Sequence, residues 1–169
     1  MLDRLRRLFS RGAEPPPLAD VRLRPIGIVR NRIKEPMSEG WAEVTSQIVL
    51  RPELAEALLG LDTYSHIYVL FWPHQISEEV RGSKRQLHPL DDEANPLQGV
   101  LATRSQIRFN PILVSAVPLL KVEKNVLQVR GLDAVDGSPV LDVKPYIAYF
   151  DCIAEAKVPQ WVEERAGQT

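Results

Sequence analysis

Residues 112–132 read ILVSAVPLLKVEKNVLQVRGL. Two runs rich in valine and leucine lie on either side of a short polar stretch, Glu123-Lys124-Asn125. Branched side chains lose rotamer freedom in a helix and pack well on a pleated surface. The two runs are therefore read as strands and VEKNVL as the turn of a hairpin. That reading decides the fold, because the pattern recurs along the chain. PIGIVR (25–30), EVTSQIVL (43–50), HIYVLFW (66–72), GVLATR (99–104) and PVLDVKPYI (139–147) are all rich in Val and Ile and bounded by Pro, Gly, Asp or Asn. One helix interrupts them, RPELAEALLG (51–60). Pro52 stands where a first helical residue needs no N–H, and Gly60 suits the C-terminal cap. Leu54, Leu58 and Leu59 are expected to form its apolar face. Residues 77–95 are polar and read as a loop with a short helix. Seven short strands and one helix specify a mainly β chain, a barrel or a sandwich, rather than a βαβ fold.

The bulk numbers agree. A chain of 169 residues, 44% hydrophobic and 25% charged, can bury a core without staples. Cys152 has no partner in the chain, so no internal disulfide forms and a reducing compartment is expected. No apolar run approaches the roughly 18 residues of a membrane span, and no secretory signal is recognisable. A net charge of −1 means that an RNA partner would need a local basic patch. None of the nine glycines forms a G-x-G-x-x-G fingerprint, which weighs against a Rossmann site. At the start, MLDRLRRLFSR places Leu2, Leu5 and Phe9 on one helical face among four arginines, and AEPPPLAD then breaks any helix. Residues 1–20 are thus expected to be a basic appendage with a Pro-rich linker, and 21–169 the domain. The appendage reads as a surface tail or as an arm toward a membrane or nucleic acid.

Three stretches carry chemistry. The first, ATRSQIRFNPILVS (102–115), sets two arginines and an asparagine between apolar runs. Arg104 and Arg108 have the forked donors that suit a carboxylate or phosphate. The segment is either an anion site or a loop tied down by its own side chains. In the second, LDAVDGSPVLDVKPY (132–146), Asp136-Gly137 signals a tight turn, and Asp142 and Lys144 share one strand face. In the third, FWPHQ (71–75), His74 and Gln75 follow the end of an apolar strand. His66, His74 and His88 have no metal-ligand spacing with one another or with Cys152, so no metal site is expected.

Taken together, PIGIVRN, GLDTYSHIYVLFWPHQ, GVLATRSQIRFNPILVS and GLDAVDGSPVLDVKPY resemble the signatures of the TsaA-like (YaeB or TrmO) family, from about Pro25 to Asp151. The resemblance implies a barrel-like antiparallel β fold with one or two short helices, distinct from Rossmann enzymes. It implies an S-adenosyl-L-methionine-dependent methyltransferase, acting as a homodimer in the cytoplasm. Its substrate would be the exocyclic nitrogen of threonylcarbamoyl-adenosine beside the anticodon of tRNA. Carried over by position, the cofactor contacts are His74, Gln75, Arg104, Leu113, Val114, Leu132, Asp133, Asp136, Gly137, Ser138 and Pro139, with Arg104 facing the methionyl carboxylate. Arg108, Asn110 and Lys144 are substrate-side candidates. By residue type, Asp133, Asp136, His74 and Tyr146 are candidates to accept a proton. Two basic groups could grip RNA phosphate, Arg30-Arg32-Lys34 and Arg81-Lys84-Arg85, with Trp41 or Trp72 stacking on a base.

The sequence also departs from the family's common FATRSPxRPNPIGLS. Leu101, Gln106, Phe109 and Leu113 replace Phe, Pro, Pro and Gly. Leu113 matters most, since a glycine lets a ligand approach the backbone. IKEPMSEGW (33–41) lacks the Pro-Arg-Gln element that many members place there, which leaves Pro36 and Met37 to take its place. These departures keep two alternatives open: a methyltransferase with a non-tRNA substrate, and a non-catalytic cofactor-binding sensor.

Overall fold

Val29, Ile48, Leu50, Ile67, Val69, Phe71, Leu127, Val129 and Val140 are buried, and their strand neighbours are less so. A period of two turns one row of side chains inward, and here six such rows meet in a single core. The computed structural model describes residues 19–166, so nearly all of the appendage expected at 1–20 lies outside the described residues. The strands are β1 (Gly27–Arg30), β2 (Thr45–Leu50), β3 (His66–Phe71), β4 (Gln86–Leu87), β5 (Gln98–Gly99), β6 (Leu113–Glu123), β7 (Val126–Arg130) and β8 (Pro139–Pro145). Six of them close a barrel in the order β1-β2-β7-β6-β3-β8, with β8 returning to β1. Every pairing is antiparallel. β4 and β5 form a separate two-stranded ribbon. Helices α1 (Ala148–Asp151) and α2 (Gln160–Ala166) follow the barrel.

The hairpin read from VEKNVL is present. Glu123 pairs with Val126, and Lys124 turns the chain at φ 54°. Asn125 fastens the turn to the end of β2: its Nδ2 donates to Leu50 O at 2.6 Å, and its O accepts from Leu50 N at 2.9 Å. Pro118 interrupts β6 where a missing donor is tolerated. It is the last partner of β3, and from Leu119 on β6 pairs with β7.

Two expectations are corrected. GVLATR is not a strand, because Val100–Ala102 forms a 3-10 turn after β5, with Val100 buried and Leu101 exposed. The barrel closes between β8 and β1, so no free edge remains for another strand. The segment after β2 is a 3-10 run, Pro52–Leu58, followed by a second turn, Leu61–Thr63. Leu58 ends the first run, Leu59 and Gly60 leave the helical conformation, and Leu61 begins the second, so that Leu58 and Leu61 both pack on the core. Leu59 therefore points away, 94% exposed, and does not share the apolar face. Gly60 takes the left-handed conformation expected of a cap, at φ 84°.

Candidate functional site

The site is organised by the turn that leads into β8. Gly137 sits at φ 85° and donates its N–H to Val29 O at 2.9 Å. Asp136 beside it gathers the loop that follows β1. Its Oδ1 accepts the Asn31 N–H at 3.1 Å, its Oδ2 accepts Lys34 Nζ at 2.6 Å, and Arg30 stands 3.6 Å from the same oxygen. The Lys34 hydrogen bond, then the Asn31 N–H, hold the Asp136 carboxyl below the usual carboxylate range; burial opposes them, and the charges of Lys34 and Arg30 add to them. Asn31 completes the clasp. Its Nδ2 donates to Ser46 Oγ and to Ala134 O, both at 2.9 Å, and its Oδ1 accepts from Ile33 N. Gln75 Nε2 donates to Lys34 O at 2.7 Å from the other side.

The pinned loop carries Pro36, Met37, Ser38 and Trp41 over the end of the barrel, with Trp41 Nε1 donating to Met37 O at 3.0 Å. Beneath them is a cleft of about 260 Å³. Phe71, Pro73, Ala134, Val135 and Ser138 supply its buried wall, and Gln75, Ile76, Gln106, Leu113 and Asp133 the rest. Asp133 is exposed and accepts a short hydrogen bond from Ser115 Oγ. The cleft thus sets one carboxylate among apolar side chains and amides, a donor set suited to a ligand with a cationic centre and an apolar ring.

The structure divides the sequence-derived residues. Gln75, Leu113, Asp133 and Ser138 meet in the cleft. His74 lies against the turn, since a Cβ on Gly137 would stand 3.5 Å from its Nε2. Pro139 opens β8, and its O accepts the Trp72 N–H at 2.9 Å. Leu132 is completely buried in the core, and the carboxylate of Asp136 is engaged by the loop.

A second set lies on the outer side of the barrel. Val114 pairs with Leu70, and Lys144 with Tyr68, and Lys144 Nζ reaches Asp142 at 2.7 Å as the shared face anticipated. Tyr146 packs on Tyr68 with ring centroids 5.4 Å apart. Arg104 is exposed on the loop that precedes β6.

Arg108 realises the tied-loop alternative, donating to Thr103 O at 2.9 Å. Asn110 is exposed, and its O accepts from Ile112 N. Asn31, Ser46 and Ser38 were not singled out by sequence, and Gln106 only as a departure from the family's motif, although Asn31 at a strand end two residues before an acceptor-seeking N–H is a recognisable Asx turn.

A larger groove of about 630 Å³, walled by Leu54, Ala57, Leu58 and Leu61, holds none of the residues assigned to the cofactor or substrate. Among the described residues, no helix is long and apolar enough to cross a membrane, and no three His, Cys, Asp or Glu side chains are placed to hold a metal ion.

Comparison with known proteins locates this arrangement. Residues 29–152 match the family described as the tRNA-methyltransferase O N-terminal domain. A probable S-adenosyl-L-methionine-binding protein of Archaeoglobus fulgidus is 37% identical over 153 residues, covering 88% of this chain and 40% of the relative. The tRNA (adenine(37)-N6)-methyltransferase of Escherichia coli is 34% identical over 142 residues, covering 78% of this chain and 60% of the relative. A crystal structure of TrmO superposes with a TM-score of 0.66 at 34% identity, covering 83% of this chain and 64% of that one. The chain therefore spans less than two thirds of the length of these three.

Proposed function

This chain belongs to the tRNA-methyltransferase O N-terminal domain family, and on that premise we propose that it is an S-adenosyl-L-methionine-dependent methyltransferase acting on tRNA. The acceptor is the exocyclic nitrogen of a modified adenosine, threonylcarbamoyl-adenosine, beside the anticodon. The observation that carries the reading is the convergence of Gln75, Leu113, Asp133 and Ser138, drawn from separate parts of the sequence, on one cleft at the barrel mouth. The relatives' names support both the cofactor and the RNA.

The residues fit the cofactor. Trp41, Ile76 and Leu113 offer an apolar wall, and the Asp133 carboxylate faces the same space. When bound, the cofactor supplies a methyl group on a sulfonium, so the protein's work is alignment and exclusion of water. Asp133 accepts the proton of the attacking nitrogen, a weak nucleophile that needs such help, and Ser115 orients that carboxylate. Arg104 takes the cofactor's carboxylate, and His74, Gly137 and Pro139 shape the turn below it. At about 260 Å³ the cleft is smaller than the ~300–1,000 Å³ of most small-molecule sites. Leu113, in place of the family's glycine, accounts for part of that narrowness.

We carry three further expectations as part of this reading. Residues 21–169 form the domain, the protein acts in the cytoplasm, and it is a homodimer. The exposed Val114, Leu120, Tyr149 and Phe150 support an apolar contact between copies.

The deciding experiment is mass spectrometry of tRNA nucleosides from a strain lacking the gene. Loss of one methylated modified adenosine, restored by the wild-type gene, is expected. Unchanged nucleosides, with no methyl transfer to tRNA by the purified protein, would overturn the substrate.

A further inference from the structure

Two basic groups were available for RNA, and the structure treats them differently. Arg30 and Lys34 turn toward the Asp136 carboxylate, which neutralises much of their charge. The second group is seated on two aromatic rings, with Arg81 half-buried and Lys84 and Arg85 exposed. The Arg81 guanidinium stands 4.9 Å from the centroid of Trp72, and that of Arg85 stands 5.9 Å from the centroid of Phe109. Gly82, at φ 66°, lets the loop settle directly on Phe109, because a Cβ there would lie 2.8 Å from the ring. The loop is held at both ends. Arg81 N donates to Ser77 O at 3.2 Å, and Arg85 O accepts from Val100 N at 2.9 Å. Lys84 and Arg85 are exposed, and Phe109 keeps 48% of its surface in solvent. Both aromatics adjoin the cleft in sequence: Phe71 and Pro73 flank Trp72, and Gln106 precedes Phe109 by three residues, all three lining it. Phe109 is also one of the positions at which this chain departs from the family's common proline.

We propose that the loop of residues 81–85, seated on Trp72 and Phe109, is the RNA-gripping surface of this protein. Arg81, Lys84 and Arg85 hold phosphates, and the open face of Phe109 stacks on an unpaired base next to the methyl acceptor. The inference rests on the tRNA reading above and names the surface that serves it. Fixed guanidinium–aromatic stacks beside an exposed ring are what a splayed single strand requires, a line of charge with a flat apolar step. Trp72 is covered by Arg81 and Trp41 belongs to the cleft; Phe109, although Gly82 and Arg85 touch it, is the most exposed of these three rings.

The test is fluorescence anisotropy with tRNA from the deletion strain at graded KCl, on the full chain, alongside calorimetric binding of S-adenosyl-L-methionine and thermal melts. Phe109→Ala should weaken tRNA binding by about 5- to 150-fold, the usual effect of losing one stacked base. Phe109→Trp should preserve binding, and cofactor affinity should stay unchanged in both. Replacing Arg81, Lys84 and Arg85 together by Gln should flatten the salt dependence by about two log units per log unit of salt. If wild type methylates tRNA while both sets of variants bind it normally, the surface lies elsewhere and only this inference fails. A flattened slope with full affinity in Phe109→Ala overturns the stacking role. If wild type neither binds nor methylates tRNA, the substrate reading falls and takes the inference with it.

Discussion

Lys34 Nζ lies 2.6 Å from Asp136 Oδ2, bridging 102 residues of sequence. With the Asn31 N–H on the other carboxylate oxygen, this contact makes Asp136 the post to which the cleft's outer loop is tied. A depressed carboxyl contributes stability above its unfolded value, near 3.9, and that contribution disappears as pH falls through the folded value. Acidification from about pH 5 to pH 3 should therefore lower the Tm of wild type more than that of Asp136→Asn. At pH 7 the variant should be less stable by about 1 kcal/mol, a modest figure because Lys34 is largely exposed. Melts across that pH range check both, and parallel curves for the two proteins would remove Asp136 from this role.

Gly27 is fixed by the barrel seam. A Cβ there would stand 2.6 Å from Val49 O and 2.9 Å from Leu50 Cα, both backbone atoms of the paired strand β2. Backbone in a closed barrel cannot move aside cheaply. Gly27→Ala should cost about 1–3 kcal/mol, the range of overpacking. Urea unfolding measures it, and a variant as stable as wild type would show that β1 and β2 are not held at this spacing.

Much of the barrel was legible because its signal is local. Alternation of buried and open residues in TSQIVL, HIYVLF and VLQVR is set by the pleat and needs no knowledge of partners. The run GVLATR shows where that signal fails. Its composition suits a strand, but the ladder that would receive it is already closed. The reading of residues 51–60 placed Leu59 inside because it carried the helix through that residue, and the 3-10 run ends at Leu58 with Leu59 already extended. In the site, residue types were legible and partners were not. Asn31 looks like an ordinary strand-end amide until Ser46 and Ala134, 15 and 103 residues away, arrive beside it. Asp133 and Asp136 looked equivalent. One is engaged with the loop and the other opens on the cleft, a difference that only the tertiary arrangement sets.

That difference yields the third prediction. Asp133 lies exposed at the cleft with Ser115 Oγ as its donor, so its replacement should leave folding nearly intact. On the methyltransferase reading, Asp133→Asn should lower kcat by about 10²–10⁴-fold, the usual value of a positioned proton acceptor. Ser115→Ala should lower it less, since the carboxylate remains. Single-turnover methyl transfer at saturating cofactor is the measurement. A kcat within twofold of wild type for Asp133→Asn would assign the proton to another group, with His74 next in line.

Arg104 provides the sharpest separation of ligand binding from stability. It is exposed and makes no hydrogen bond or ion pair with a described residue, in contrast to Arg108, which holds its own loop through Thr103 O. Nothing in the fold depends on it, so Arg104→Ala should change stability by no more than ~0.5 kcal/mol. Gln106, two residues on, lines the cleft, and the role proposed for Arg104 is to meet the carboxylate of a ligand bound there. If that ligand presents a carboxylate, the loss should be about 1.5–3 kcal/mol, the typical contribution of a charge-assisted hydrogen bond. Arg104→Lys should recover only part of it, because a point charge cannot reproduce two parallel N–H donors. Calorimetric titration with S-adenosyl-L-methionine, with melts of the ligand-free proteins as the control, distinguishes the outcomes. An unchanged Kd in Arg104→Ala would free this residue for the RNA side of the site. A lowered Tm with unchanged Kd would make it a structural arginine after all.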